Sequence, residues 1–169
     1  MKPAIPTLQT PANISRVLKT LRDTPAQLDR LSGPLAPHAL WTPLGSGERS
    51  FSEDLAHLSH CEAVIASQIY MALLTEEPVF ADLHPERHWG KLLRYDTFEF
   101  ADLLAHFKFR RTTLLRVLEA LTEAQWARAI REEGKQRKES VYRLARTQAL
   151  HEQHHLEDIE HKQRTLAGD

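Results

Sequence analysis

The sequence has a single cysteine and no long apolar segment. Cys61 has no partner for an intramolecular disulfide, and one thiol cannot build a cysteine-rich zinc ribbon. No window approaches the roughly 18 consecutive apolar residues of a membrane-spanning helix. Residues 1–10 mix prolines with polar groups where a signal peptide needs an apolar stretch. We therefore expect a cytoplasmic protein without a membrane partner.

The sequence also lacks an excess of charge of either sign. Its 22 basic and 23 acidic side chains leave a formal net charge of −1 with histidine neutral. Nucleic-acid affinity comes largely from clustered Lys and Arg that displace counterions from phosphates, so nucleic acid is excluded as an expected partner. A length of 169 residues with 41% hydrophobic side chains suits one core, which predicts a single domain over residues 1–169.

Helical periodicity is what the sequence does have. Apolar residues recur at three- and four-residue steps in four segments, and no segment shows the sustained alternation of a strand. The predicted helices are 13–31, 51–74, 97–121 and 141–166. Helices of about 20 residues are about 30 Å long, so we predict an all-α four-helix bundle. The first two connections are long enough to cross over the bundle, and a charged loop is expected around Gly134.

Three local signals refine these helices. Ser50 followed by Glu53 predicts a capping box at the start of the second helix. Ser140 is the predicted N-cap of the last helix. Pro25 lies on the apolar stripe of the first helix, where it either kinks that helix or begins a second helical piece.

Histidine is abundant, with ten in the chain. At about 100° per residue, His151 and His155 fall on the core-facing stripe of the last helix, and His57 lies at the edge of the apolar face of the second. If His57 faces the other two across the core, three neutral imidazoles form a site for a divalent transition metal with a coordination position open. Three other histidines are predicted to turn away from the core and not to bind metal: His60, His154 and His161.

The alternative for each of these histidines is an ordinary core residue. A single buried histidine such as His57 is usually satisfied by hydrogen bonds within the core. The pair at i and i+4 favours metal binding more strongly, because each buried imidazole costs free energy unless both of its nitrogens find partners.

Two other metal motifs overlap the same helix. Residues 151–155 match H-E-x-x-H, the zinc-protease helix whose glutamate is the general base. Metzincin proteases need a glycine where Asp158 stands, so we expect the helix to continue, His161 to turn away and peptides not to be cleaved. Glu152 would then reach at most the rim of the site. A di-iron site needs two Glu-x-x-His elements. Glu152-x-x-His155 matches the first, but Asp54-x-x-His57 is only a shortened imitation of the second.

Three residues near these histidines, Gln148, Glu62 and Trp41, are secondary candidates. Gln148 and Glu62 could orient a ligand, or they could be polar residues at the end of a helix face. Trp41 could wall the site or simply cap the core. Cys61 is most simply a small core side chain.

The residues as a set resemble a known family. Residues 41–62, with the capped Ser50 and the run LAHLSHCE, and residues 150–159, with the sequence LHEQHHLEDI, are similar to the two signatures of the DinB/YfiT-like metalloenzymes. Thr24-Pro25 in the first helix agrees as well. The order of the motifs and the lengths between them extend the resemblance over nearly the whole chain.

The resemblance implies a four-helix bundle, often a homodimer, with one nickel or zinc ion held by His57, His151 and His155. It also implies a small-molecule substrate. The expected activity is transfer of a low-molecular-weight thiol, such as bacillithiol, mycothiol or glutathione, to an electrophile, with the metal stabilising the thiolate. The same site would serve a hydrolase that uses metal-bound hydroxide. The non-enzymatic alternative is a stress-related dimeric bundle in which the metal only fastens two helices.

Overall fold

The protein is a helical bundle in a computed structural model that describes residues 5–81, 92–94 and 97–167. Its helices are α1 (Pro11–Ser32), α2 (Phe51–Leu74), α3 (Phe100–Glu119), the single turn α4 (Glu123–Trp126) and α5 (Val141–Ala167), with a 3-10 turn at Ala39–Trp41. The four long helices match the predicted ones to within about three residues at each end. The predicted four-helix bundle is confirmed.

The long helices pack in an order that differs from their order in the chain. Both α1 and α2 pack against α3 and α5, so α1 and α2 occupy opposite corners of the bundle. The connection of residues 33–50 therefore crosses the end of the bundle, as its length predicted. Among the described residues, no helix has both the length and the apolarity that crossing a lipid bilayer requires.

Both predicted helix caps are present. The Glu53 amide donates to Ser50 Oγ at 3.2 Å, and the Ser50 amide donates to the Glu53 carboxylate at 2.7 Å, which completes the capping box of α2. Ser140 Oγ accepts a hydrogen bond from the Arg143 amide at 3.2 Å at the start of α5. These caps fix the residues at which α2 and α5 begin.

A small three-stranded sheet lies outside the predicted all-helical pattern. Strand β1 (Val79–Phe80) runs parallel to β2 (Ala129–Glu132), which is antiparallel to β3 (Lys138–Ser140). The loop expected around Gly134 is thus a hairpin, and Gly134 adopts φ +77° in its turn. Strands of two to four residues are too short to show a two-residue alternation, which is why the sequence pattern missed them.

Pro25 lies inside α1, which continues across it. Because proline has no amide hydrogen, the Leu21 carbonyl four residues earlier has no helical partner. Arg111 on α3 donates to that carbonyl at 2.5 Å. The proline therefore leaves the Leu21 carbonyl available to Arg111 at the centre of the bundle. Of the two alternatives offered by the sequence, the one in which Pro25 begins a separate helical piece is wrong.

The core consists of two apolar clusters with a buried polar layer between them. Each long helix contributes residues to both clusters, and at the level between them each carries a buried polar side chain. We call this set the polar layer: Thr24 on α1, Glu62 on α2, Arg111 on α3, and Gln148 and Glu152 on α5.

Arg111 connects the polar layer. It is 1% exposed, and its guanidinium donates to Glu62 at 2.6 Å and to Glu152 at 3.0 Å. Thr24 Oγ1 lies 2.7 Å from Glu152 Oε2, and the Gln148 amide donates to Glu152 Oε1 at 2.7 Å. Burial would lower the pKa of Arg111, but the two carboxylates outweigh it and hold that pKa above its usual range. The layer therefore joins all four long helices through one permanently charged group.

We expect Arg111→Met to lower the free energy of unfolding by about 3–5 kcal/mol, since it leaves two buried carboxylates without their shared cation. Urea denaturation at neutral pH measures this. Arg116→Met, at an exposed position of the same helix, is the matched control and should change stability by less than about 0.5 kcal/mol. Equal effects of the two substitutions would show that the layer contributes little.

Candidate metal centre

Helices α2 and α5 bring three imidazole rings together. His57 lies on α2, and His151 and His155 lie on successive turns of α5, which packs against α2. The ring centroids are 5.2 Å apart for His57 and His151, 4.9 Å for His57 and His155, and 4.5 Å for His151 and His155. One ring nitrogen of each histidine lies within 4.8 Å of the other two. These are the three histidines that helical phase placed inward.

The ring nitrogens of this cluster face one another. His151 Nε2 is 3.3 Å from His57 Nε2 and 3.1 Å from His155 Nε2. A neutral imidazole nitrogen offers either one hydrogen or one lone pair, so His151 Nε2 can complete only one good N–H···N bond here. A cation among the three nitrogens would accept a lone pair from each. The donor set therefore fits a divalent transition metal for which imidazole is a preferred ligand.

The protonation of these rings suits metal binding. Burial lowers the pKa of His57 to about 4, with further contributions from Arg49 and His155. Burial and the neighbouring His155 likewise lower the pKa of His151 to about 4. Both rings are neutral at neutral pH, and their lone pairs are available to a metal.

Asp54 stands behind the cluster. It is 3% exposed, its Oδ1 lies 3.7 Å from His155 Nδ1, and its Oδ2 forms an ion pair with Lys162. Burial acts to raise the pKa of Asp54, but attraction to His155 and Lys162 outweighs it and holds the pKa below its usual range. The 3.7 Å separation is longer than a hydrogen bond, and a small ring rotation would close it. Such a carboxylate orients a metal-binding histidine and fixes its tautomer.

A cavity of about 620 Å³ opens beside the cluster. Asp54 and His155 line it together with Arg49, His161 and Lys162. The cluster is therefore reachable from outside the bundle through a polar opening that carries both charge signs.

The three histidines predicted to turn away do lie outside the cluster, although one of them is not exposed. His154 and His161 are exposed, as expected. His60 is only 3% exposed, and the expectation that it turns away from the core is wrong. Most of the first half of α2 is buried, including small polar positions such as Ser52 and Ser59. Burial, followed by Arg110, lowers the pKa of His60 to about 4.

The secondary candidates do not surround the metal cluster as expected. Glu152 is fully buried and held by Arg111, so it does not reach the rim of the site. Glu62 and Gln148 belong to the same polar layer, and Trp41 packs at the edge of an apolar cluster. Cys61 is half-buried rather than a core side chain, and its Sγ lies 3.6 Å from His57 Nε2.

Two features together define the class of this protein. It is a four-helix bundle whose first two helices, α1 and α2, occupy opposite corners, and three histidines from α2 and α5 converge in it. The sequence matches the family model of the DinB superfamily over residues 9–159, and the chain belongs to that superfamily. Comparison with curated proteins gives no match. The family resemblance found in the sequence is thereby confirmed.

Two solved structures share the fold. YfiT from Bacillus subtilis, described as a probable metal-dependent hydrolase with an unusual four-helix bundle topology, superposes with a TM-score of 0.85 at 18% identity, covering 100% of this chain and 95% of YfiT. A mycothiol-dependent maleylpyruvate isomerase superposes with a TM-score of 0.67 at 14% identity, covering 86% of this chain and 60% of the isomerase. At these identities the likeness establishes the fold.

The buried histidines predict a pH dependence of stability in the metal-free protein. His60 has a pKa near 4 when folded, against its ordinary 6.5, so between these values the unfolded chain binds more protons. The free energy of unfolding should therefore fall as the pH is lowered from about 6.5 to about 4. His60→Gln should make that dependence shallower, and His161→Gln, at an exposed site, should leave it unchanged. Urea denaturation of chelator-treated protein over this pH range measures both, and identical slopes would contradict the assignment.

Proposed function

We propose that this protein is a metal-dependent enzyme whose centre, formed by His57, His151 and His155, holds one nickel or zinc ion. The observation that carries the proposal is the convergence of three imidazole rings whose facing nitrogens cannot all satisfy one another by hydrogen bonds. A bound metal would supply Lewis acidity, lowering the pKa of a thiol or a water molecule that it binds. Three protein ligands leave a coordination position for substrate, as catalytic zinc sites do.

The protein's own residues supply position and access. Asp54 Oδ1 faces His155 Nδ1 at 3.7 Å, and Lys162 and Arg49 flank Asp54 in turn. The polar cavity beside His155 admits a small hydrophilic molecule, and its cationic and anionic groups suit a substrate that carries charges of its own. The polar layer keeps α5 in the rotation that presents both of its histidines to α2.

The reaction that we propose is transfer of a low-molecular-weight thiol to an electrophilic small molecule, in a cytoplasmic homodimer. Support comes from the mycothiol dependence of the structurally similar isomerase and from a donor set suited to binding thiolate. A hydrolase is the second candidate, supported by the description of YfiT as a probable metal-dependent hydrolase. Both reactions need the same three ligands and an open position.

We expect about one divalent metal ion per chain in protein purified without an affinity tag or chelator, measured by elemental analysis. The double substitution His57→Ala, His151→Ala should abolish metal binding, because one imidazole alone holds a divalent ion weakly. The triple substitution His60→Gln, His154→Gln, His161→Gln is the control and should leave metal content unchanged. Full loading of the double variant would refute the proposed ligand set.

We expect the metal-loaded protein to consume mycothiol, bacillithiol or glutathione in the presence of an electrophile, and to cleave no member of a peptide library. Loss of free thiol follows the first reaction, and mass spectrometry follows the second. The His155→Ala variant is the matched control for metal-dependent turnover. Turnover of esters or amides without thiol consumption would favour the hydrolase. Unfolding on metal removal, with no turnover of any substrate, would favour a structural role.

A further inference from the structure

We propose that Cys61 is a fourth, exchangeable ligand of the metal centre, an inference that rests on the proposed three-histidine site. The two facing helices carry matching pairs of metal-binding side chains. On α5 the pair is His151 and His155, and on α2 it is His57 and Cys61, both with the i, i+4 spacing that puts two side chains on one helix face. Two histidines at this spacing are a usual way for a helix to bind zinc, and a histidine and a cysteine at the same spacing present their donors on one face in the same way.

Three donor separations fit a tetrahedral arrangement, although Cys61 Sγ does not lie within 4.8 Å of all three histidine nitrogens. Zinc bound at about 2.0–2.1 Å to nitrogen and about 2.3 Å to sulfur separates two nitrogens by roughly 3.3 Å and a nitrogen from a sulfur by roughly 3.6 Å. The nitrogen separations here are 3.3 Å and 3.1 Å. Cys61 Sγ lies 3.6 Å from His57 Nε2, on the edge that such a tetrahedron requires.

The thiol lies next to the three-nitrogen group rather than within it. Rotation about the Cα–Cβ bond moves Sγ between staggered positions without moving the backbone, which is the adjustment that binding needs. Coordination forms one sulfur–metal bond and releases the thiol proton to solvent. Because Cys61 is half-buried, an incoming thiol can reach the same position, form the new sulfur–metal bond and pass its proton to the departing Cys61 sulfur.

This assignment has two consequences for the centre. A thiolate beside three imidazoles favours zinc, cobalt or nickel over harder cations such as magnesium. It also occupies the position that water would otherwise take, so the resting centre is closed to hydrolysis and opens to a competing thiol. Cys61 would then bias the site toward thiol chemistry.

The experiment uses cobalt(II) as the metal probe, in the full-length protein and in thiol-free buffer. Since Cys61 is the only cysteine, any thiolate-to-cobalt charge-transfer band in the near ultraviolet belongs to it. We expect this band in the parent protein. It should be absent from Cys61→Ala and Cys61→Ser, which should still bind cobalt but at least about tenfold more weakly.

Alkylation by iodoacetamide gives an independent readout in the unsubstituted protein. Zinc should slow the reaction of Cys61 at least about tenfold, because a coordinated sulfur is a poor nucleophile. The same measurement on His155→Ala, which lacks one proposed ligand, should show little protection.

The outcomes separate the two proposals. Cobalt binding without a charge-transfer band, together with equal alkylation rates with and without zinc, would overturn the role of Cys61 and leave the three-histidine site intact. Failure of the parent protein to bind cobalt would overturn both.

Discussion

The bundle depends on one guanidinium group at its centre. Arg111 contacts the Leu21 carbonyl of α1, the Glu62 carboxylate of α2 and the Glu152 carboxylate of α5, while itself belonging to α3. The planar fork of an arginine accepts its partners only in fixed directions, so these contacts set both the height and the rotation of each helix. Glu152 lies between His151 and His155 in the chain, and holding it inward fixes the side on which both histidines emerge.

The same contacts distinguish Glu152 from the glutamate of an H-E-x-x-H protease. In H-E-x-x-H proteases the glutamate must face the water that attacks the peptide. Here Glu152 is fully buried and accepts hydrogen bonds from Arg111 and Gln148, so it has no route to a substrate. Burial raises the pKa of Glu62, against the attraction of Arg111. Both glutamates act in the structure of the bundle.

Helical periodicity determines how much of the fold and of the metal centre can be predicted from the sequence. Each helix reports its own apolar face, and this sufficed for the four helices and for the inward phase of the three histidines. The two caps were predicted from the local serine signals at Ser50 and Ser140. Periodicity does not report which helices meet, so the partners of Asp54 and Glu152 were not visible. Arg111 did leave a signal, because it interrupts the stripe of Phe107 and Leu114 on α3. His60 was misplaced because most residues in the first half of α2 are buried, so that helical phase separates inside from outside poorly there.

The opposite-corner placement of α1 and α2 also constrains how the chain folds. In an up-and-down bundle, neighbouring helices can dock as soon as each pair is made. Among the described residues, the first helix packs mainly against α3 and α5, so most of its interhelical contacts close a long loop of chain. Folding rates fall as contacts become more distant in sequence, and we therefore expect this topology to fold more slowly than an up-and-down bundle of the same size. Contact between the two helices that carry the histidines likewise closes all of the chain that lies between α2 and α5.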